Sequence, residues 1–378
     1  MNIRHSINDG THPSSAHLSI WYCRHMMAGF HEVDEKVEGL CSKEIRVGQK
    51  DFYNFVCRMY EEMYKEPGSF LIPVEPYDEY LKKAETWKGA EKEHSTDAKE
   101  CKLRNEFQKA IQYYAKFLYE IGIRAESIST GNHELLITSY SYEEAKKASS
   151  MTHGNSNPGK RQAAWKILGI RFVEENSMVK ISNYKNPAMF IGLWMLCHVP
   201  ESAYKYMNYL RVDFKGCYRT RPDIEDIKET LLPKHALIIG RLEKAMRDLP
   251  MKMKIQRLRN ITSGFQWKVA YTYKSKNVFG FYAEPKYLML CIYFNNAQNI
   301  NEMCMKLLEM DRKLFRWFQS KFPERLCKCR YNRRVVFGEE RRRICGLSCR
   351  AEIENPDVSD VEDSIKIMKL FRGLLEFI

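Results

Sequence analysis

The chain lacks the short motifs that usually betray an enzyme. Its 378 residues contain no phosphate-binding loop, no G-x-S-x-G elbow, no H-E-x-x-H pair and no G-x-G-x-x-G fingerprint. His133-Glu134 runs into Leu135-Leu136 without a second histidine. No catalytic residue, metal or cofactor is therefore expected. Long apolar runs are missing too. The most apolar stretch, Pro187 to Cys197, is about half of the ~20 residues that a membrane-crossing helix needs, and reads as a buried helix. The first residues, through Ser19, are polar and predict no export signal. Twelve cysteines are scattered along the chain, too sparse for a disulfide scaffold. Free thiols without an export signal predict a cytoplasmic protein.

What is present is a segregated charge. The formal net charge is +13. Residues 241–350 hold 25 Lys/Arg against 9 Asp/Glu, whereas the first 240 residues are nearly balanced and the last 28 are acidic. A local excess of that size creates a field that selects polyanions. The 44% hydrophobic and 12% aromatic content marks a folded protein long enough for several cores.

Hydrophobic periodicity predicts an α+β fold, with a helical N-terminal region containing two helix–hairpin units, followed by an antiparallel-sheet α+β sandwich. The expected segments are a loosely ordered lead-in over 1–48, a helical region with the first unit over 49–150, the second unit over 151–232, and a basic domain over 233–378. A helix is expected from Asp51 to the stop at Pro67-Gly68, a second over Tyr77 to Trp87, and a charged linker over Glu85 to Lys102. The two units echo each other. Helix 101–120 ends in Ile121-Gly122-Ile123-Arg124 before a hairpin turning at Gly131-Asn132, and helix 160–167 ends in Leu168-Gly169-Ile170-Arg171 before one turning near Glu175-Asn176. Such a layout suits a small module whose helix covers a hairpin. A winged helix would share it, and Lys160, Arg161, Lys166 and Arg171 would then face nucleic acid.

In the basic domain, alternation predicts strands at 265–274, 278–282 and 287–294, the last apolar on both parities and hence central. Two helices follow, then a long hairpin with arms 326–337 and 341–353. If Phe337 faces Arg341, one face collects Cys327, Cys329, Cys345 and Cys349 with Val335 and Phe337. The other face collects Lys328, Arg330, Arg334, Arg342 and Arg350, with Arg341 and Arg343 at the tip. Zinc on the four cysteines is disfavoured, because Cys345 and Cys349 would stand ~13 Å apart on one strand. The arginine-rich face predicts phosphate recognition, since the guanidinium fork matches phosphate oxygens. Trp267, Tyr271 and Tyr273 could add a stacking platform for bases.

The string Trp267-Lys268-Val269-x-Tyr271-x-Tyr273-Lys274-x-Lys276, with Phe281-Tyr282, the strand to Phe294, Ile344-Cys345-Gly346 and Glu354-Asn355-Pro356, resembles uncharacterised Firmicutes-type bacterial proteins with a C-terminal α+β domain. That resemblance implies a fold and a bacterial intracellular setting, and no catalytic residue. The expected function is a non-enzymatic binding protein whose partner is nucleic acid or another polyanion, with no membrane. The alternative is a small-molecule sensor or enzyme with an anion pocket around Arg211, Asp213, Arg219 and Arg221.

Overall fold

The structure is a computed structural model that describes residues 12–72, 74, 96–129, 131–149, 158–202, 205–217, 223–247, 249, 251–257, 267–284, 287–294, 296–322, 332–345 and 349–376. The chain is an α+β protein. The first helices are α1 (Ser15–His25) and α2 (Ser42–Lys65), then α3 (Thr96–Arg124). Part of the expected lead-in is therefore helix. Its buried face (Ala16, Leu18, Ser19, Ile20, Tyr22 and Cys23) includes a serine and its more open face (His17, Trp21, Arg24 and His25) a tryptophan, which blurs the apolar period. Helix α2 begins nine residues before the expected Asp51. The Glu44 carboxylate accepts from the Cys41 N–H at its start, and Ile45, Gly48 and Gln49 extend the buried stripe. It ends at Lys65, just before Pro67, as the proline-glycine stop predicts. The end of the charged run at 85–102 belongs to α3, while the helix expected at Tyr77 to Trp87 lies outside the described residues.

Both hairpins form. Strands β1 (Ser127–Ile128) and β2 (Leu135–Thr138) make one, and β3 (Ile170–Glu175) with β4 (Met178–Asn183) make the other. Asn176 and Ser177, with φ of 51° and 61°, close the second in a two-residue turn. The units join edge to edge, β2 pairing antiparallel with β4, in a sheet of order β1-β2-β4-β3. Helices α4 (Ser139–Ser149), α5 (Pro158–Ile167), α6 (Met189–Cys197), α7 (Lys205–Leu210) and α8 (Phe214–Cys217) complete this half. One apolar core runs through it from Ala16 to Phe214, so the three segments expected before residue 232 share a single interior. Of the basic residues of the second unit, Arg161 faces the interior, 6% exposed and 3.8 Å over the Tyr113 ring, whereas Lys166 and Arg171 are exposed.

The second core gathers residues from Ile224 to Phe371. Helices α9 (Ile224–Glu229) and α10 (Pro233–Arg247) lead into β5 (Lys252–Arg257), β6 (Trp267–Tyr273), β7 (Lys276–Glu284) and β8 (Tyr287–Tyr293). Next come α11 (Ala297–Met310), α12 (Arg312–Ser320), β9 (Asn332–Phe337), β10 (Glu340–Cys345), β11 (Arg350–Glu354) and α13 (Val358–Glu376). The main sheet is antiparallel in the order β11-β8-β7-β6-β5. Ile255, Val269, Phe281, Leu290 and Ile353 form one cross-sheet row on its core face. Strand β8 is buried on both faces, as its composition predicts, with Leu288, Leu290 and Ile292 on one side and Tyr287, Met289 and Cys291 on the other. Strand β5 was not anticipated. It is an edge strand, and its exposed Lys252 and Lys254 guard the open edge against further pairing.

Helices α2 and α6 cross at unusually short range. A Cβ on Gly48 would lie 2.4 Å from the Ile191 Cβ, and one on Gly192 would lie 2.6 Å from both the Gly48 carbonyl and the Phe52 Cβ. Gly240, inside α10, meets nothing within 4 Å. Gly192→Ala is therefore expected to lose about 1–3 kcal/mol through overpacking. Gly240→Ala is expected to gain about 0.5–1 kcal/mol from helix propensity. Urea unfolding of both variants checks the pair; equal effects would contradict the crossing geometry.

Candidate polyanion-binding surface

The terminal hairpin differs from its expected register by one residue. Strand β9 pairs with β10 so that Phe337 faces Glu340, Val335 faces Arg342 and Arg334 faces Arg343. The cause is a tighter turn. Gly338, at φ +63°, and Glu339 form a two-residue loop in place of the expected three-residue one. A slip of one residue turns every side chain of a strand to the opposite face. Arg342 consequently points inward beside Val335, and Arg341 and Arg343 point outward with Arg334.

Arg342 has three tasks inside. Its Nη1 donates to the backbone carbonyls of Gln319 and Phe322, both at 2.9 Å, and its Nε and Nη2 donate to the Glu340 carboxylate. That pairing holds the Glu340 carboxyl below its usual range. Gln319 also donates to Glu340, at 2.6 Å. The hairpin is thus pinned at Gln319, in the last turn of α12, and at Phe322 just beyond it, where the helix dipole favours a cation. On its outer edge, the Val336 N–H donates to the Asn301 side chain of α11.

The outward face carries Arg334, Arg341 and Arg343, all exposed, with Val336. No carboxylate among the described residues pairs with these three arginines. Arg334 and Arg343 stand directly opposite each other, an arrangement that repels when nothing anionic lies between them. Arg312 and Arg316 of α12, both exposed, stand seven and three residues before Gln319 and so share its helix face. The sequence reading missed these two because it assigned the basic face to the hairpin alone.

Other expected members lie elsewhere. Arg350 belongs to β11, in a different sheet from Arg342. It is bound to Glu352 and sits 5.8 Å and 5.9 Å from the Tyr282 and Tyr293 ring centroids. Lys328 and Arg330, with Cys327 and Cys329, lie outside the described residues. Cys345 ends β10, whereas Cys349 precedes β11, so the expected continuous second arm is divided between two sheets. Trp267 and Tyr271 do not form a stacking platform. Both are on the core face, 1% and 4% exposed, and the Trp267 indole donates to Thr230. Tyr273 is half-buried against the same core.

The alternative anion pocket is not present at Arg211 and Asp213. Arg211 is 2% exposed and donates from Nη1 to the Met26 carbonyl, while its own carbonyl accepts from Ala28. The Asp213 carboxylate accepts from the Gly216 N–H in the first turn of α8. These groups tie the chain after α1 to the α7–α8 corner. Arg219 and Arg221 lie outside the described residues. The site that does emerge nearby is Glu284, at the end of β7, whose Oε1 lies 3.8 Å from His25 Nε2. Burial pushes the Glu284 carboxyl up to about 8, and the positive charge of Arg211 opposes that rise.

Two predictions follow from these placements. Arg342→Met is expected to destabilise the basic domain by about 1.5–3 kcal/mol, the worth of hydrogen bonds to a charged group. Arg341→Ala is expected to leave its thermal midpoint unchanged, and Arg343→Ala, which removes the repulsion from Arg334, to raise it slightly; the reverse ranking would contradict the register. Glu284 keeps its proton in the folded state at pH values where the unfolded carboxyl has lost it. Its stabilising protonated form is fully present below the ordinary carboxyl range and is lost as pH rises towards about 8. Wild-type stability should therefore fall relative to Glu284→Gln by about 1.4 kcal/mol per pH unit across that window. Parallel urea curves at pH 5, 6, 7 and 8 measure this; identical slopes for both proteins would contradict it.

No helix among the described residues is long and apolar enough to cross a membrane. Comparison with protein-family models, with curated proteins and with solved structures finds no match to this chain.

Proposed function

We propose that the chain is a non-enzymatic binding protein, working inside the cell, whose basic C-terminal domain engages nucleic acid through phosphate contacts. The observation that carries this reading is the triad Arg334, Arg341 and Arg343, three exposed guanidinium groups on one hairpin face, two of them directly opposed across the strands. Opposed like charges cost stability in the free protein, and an anion lying between them removes that cost. Arg341 and Arg343 are two residues apart on one strand and so stand ~7 Å from each other. A row of phosphates suits such a ladder better than one small anion.

The aromatic platform is no part of this proposal, because Trp267 and Tyr271 are committed to the core. The reading therefore favours backbone contacts over base recognition, and binding that is tolerant of sequence. The test is fluorescence anisotropy with labelled duplex DNA and single-stranded RNA over a salt series. Wild type should show a steep salt dependence. Replacing Arg334, Arg341 and Arg343 together with Ala should reduce the slope of log K against log salt by about 2–3. Binding of unchanged affinity and slope in the triple variant would sink the proposal. Ultraviolet absorbance of the purified protein before and after a high-salt wash gives an independent reading of co-purified nucleic acid.

A further inference from the structure

A cavity of about 220 Å³ opens between α1 and α2, far along the chain from the arginine triad. Its floor and walls are apolar and aromatic, made by Ile20 and Trp21 of α1 and by Tyr60 and Tyr64 of α2. Ile20 and Tyr60 are fully buried and form the floor. The two half-buried walls are braced from behind. Trp21 stacks on His25 with centroids 4.9 Å apart and planes inclined by 20°. The Tyr64 hydroxyl is hydrogen-bonded to His12 Nδ1 at 3.1 Å, and its ring meets His17 edge-on at 5.0 Å. His12 also packs against Trp21, with ring centroids 5.3 Å apart, so one imidazole touches both walls; rings already held in place lose little freedom on binding.

The mouth is charged. Arg24, Glu61 and Lys65 line it. Arg24 and Glu61 reach across it to each other at 2.6 Å, joining α1 to α2. Both side chains are more than two-fifths exposed, so the pair contributes little and can be exchanged for another partner. Lys65 is similarly engaged by Glu62 of its own helix. Among the lining groups two cations stand against one carboxylate, and that carboxylate already answers Arg24.

We propose that this cavity is a binding site for a small planar aromatic anion, with the ring between Trp21 and Tyr64 and the anionic group on Arg24 and Lys65. Size sets the first limit. The volume is below the ~300–1,000 Å³ of drug-sized sites, which fits one or two fused rings. Charge sets the second. Aromatic walls alone would also suit an alkylammonium ion, but such a cation would have to lie beside Arg24 and Lys65 with no uncommitted acid in the lining. An anion instead takes over the place of Glu61 on Arg24. The site is independent of the phosphate-binding face, and either can exist without the other.

The test uses the full chain and three probes followed by isothermal titration and saturation-transfer NMR: indole-3-acetate, neutral indole and tetramethylammonium. Indole-3-acetate should bind about tenfold more tightly than indole. Arg24→Gln with Lys65→Gln, both exposed positions, should abolish that preference while leaving the weaker indole binding intact. Glu61→Gln, which frees Arg24, should tighten indole-3-acetate. The Arg334/Arg341/Arg343 triple variant should bind all probes as wild type does, which separates this site from the nucleic-acid surface. Preference for tetramethylammonium, an equal affinity for indole and indole-3-acetate, or no binding at millimolar concentration would each overturn the proposal.

Discussion

The guanidinium of Arg342 lies inside the terminal hairpin, satisfying the last carbonyls of α12 and gripping Glu340, and the whole display of charge in the basic domain depends on it. With that side chain turned inward, strand alternation sends its neighbours Arg341 and Arg343 outward, beside Arg334. The same residue type thus does two opposite things at adjacent positions. One arginine is structural because its donors are all spent on the protein; two are available because theirs are not. Counting charges cannot distinguish them, but burial and partners do.

The same distinction thins the overall excess of positive charge. Lys252 and Lys254 protect a sheet edge, Arg350 is committed to Glu352, and Lys321 answers Asp360. What remains without a carboxylate partner among the described residues is Arg334, Arg341 and Arg343 on the hairpin face and the exposed Arg312 and Arg316 of α12. In the N-terminal half Arg161 and Arg211 are interior residues, bound to an aromatic ring and a backbone carbonyl. Arginine can serve in such places because its planar, weakly hydrated cation tolerates partial burial better than an ammonium does.

Much of the architecture was legible from periodicity and turn chemistry. Both N-terminal hairpins, the doubly buried strand β8 and the helix stop at Pro67-Gly68 stand where the residue pattern puts them. The failures have distinct physical causes. Helix α1 buries Ser19 and leaves Trp21 half-buried beside His17, Arg24 and His25, so its apolar stripe is blurred in the sequence. Strand β5 alternates lysine with Met253 and Ile255, which reads as a charged loop until the sheet edge beside it is known. The hairpin register depended on whether its turn had two residues or three, and that single residue exchanged the roles of Arg342 and its neighbours. The aromatic cavity was not legible, because α1 and α2 meet only through tertiary packing. Glu284 gave no local signal either; its burial beside His25 and Arg211 joins three distant parts of the chain.

The crossing of α2 and α6 has a consequence for how this protein can change over generations. Gly48 and Gly192 both sit where the helices touch: the Gly48 carbonyl occupies the space a side chain on Gly192 would need, and Ile191 occupies the space one on Gly48 would need. A methyl group gained at either position must move a helix, and both helices line the core shared by α1 and the double hairpin. The two positions therefore constrain one helix spacing, and a larger residue at either has to be met by a change in that spacing.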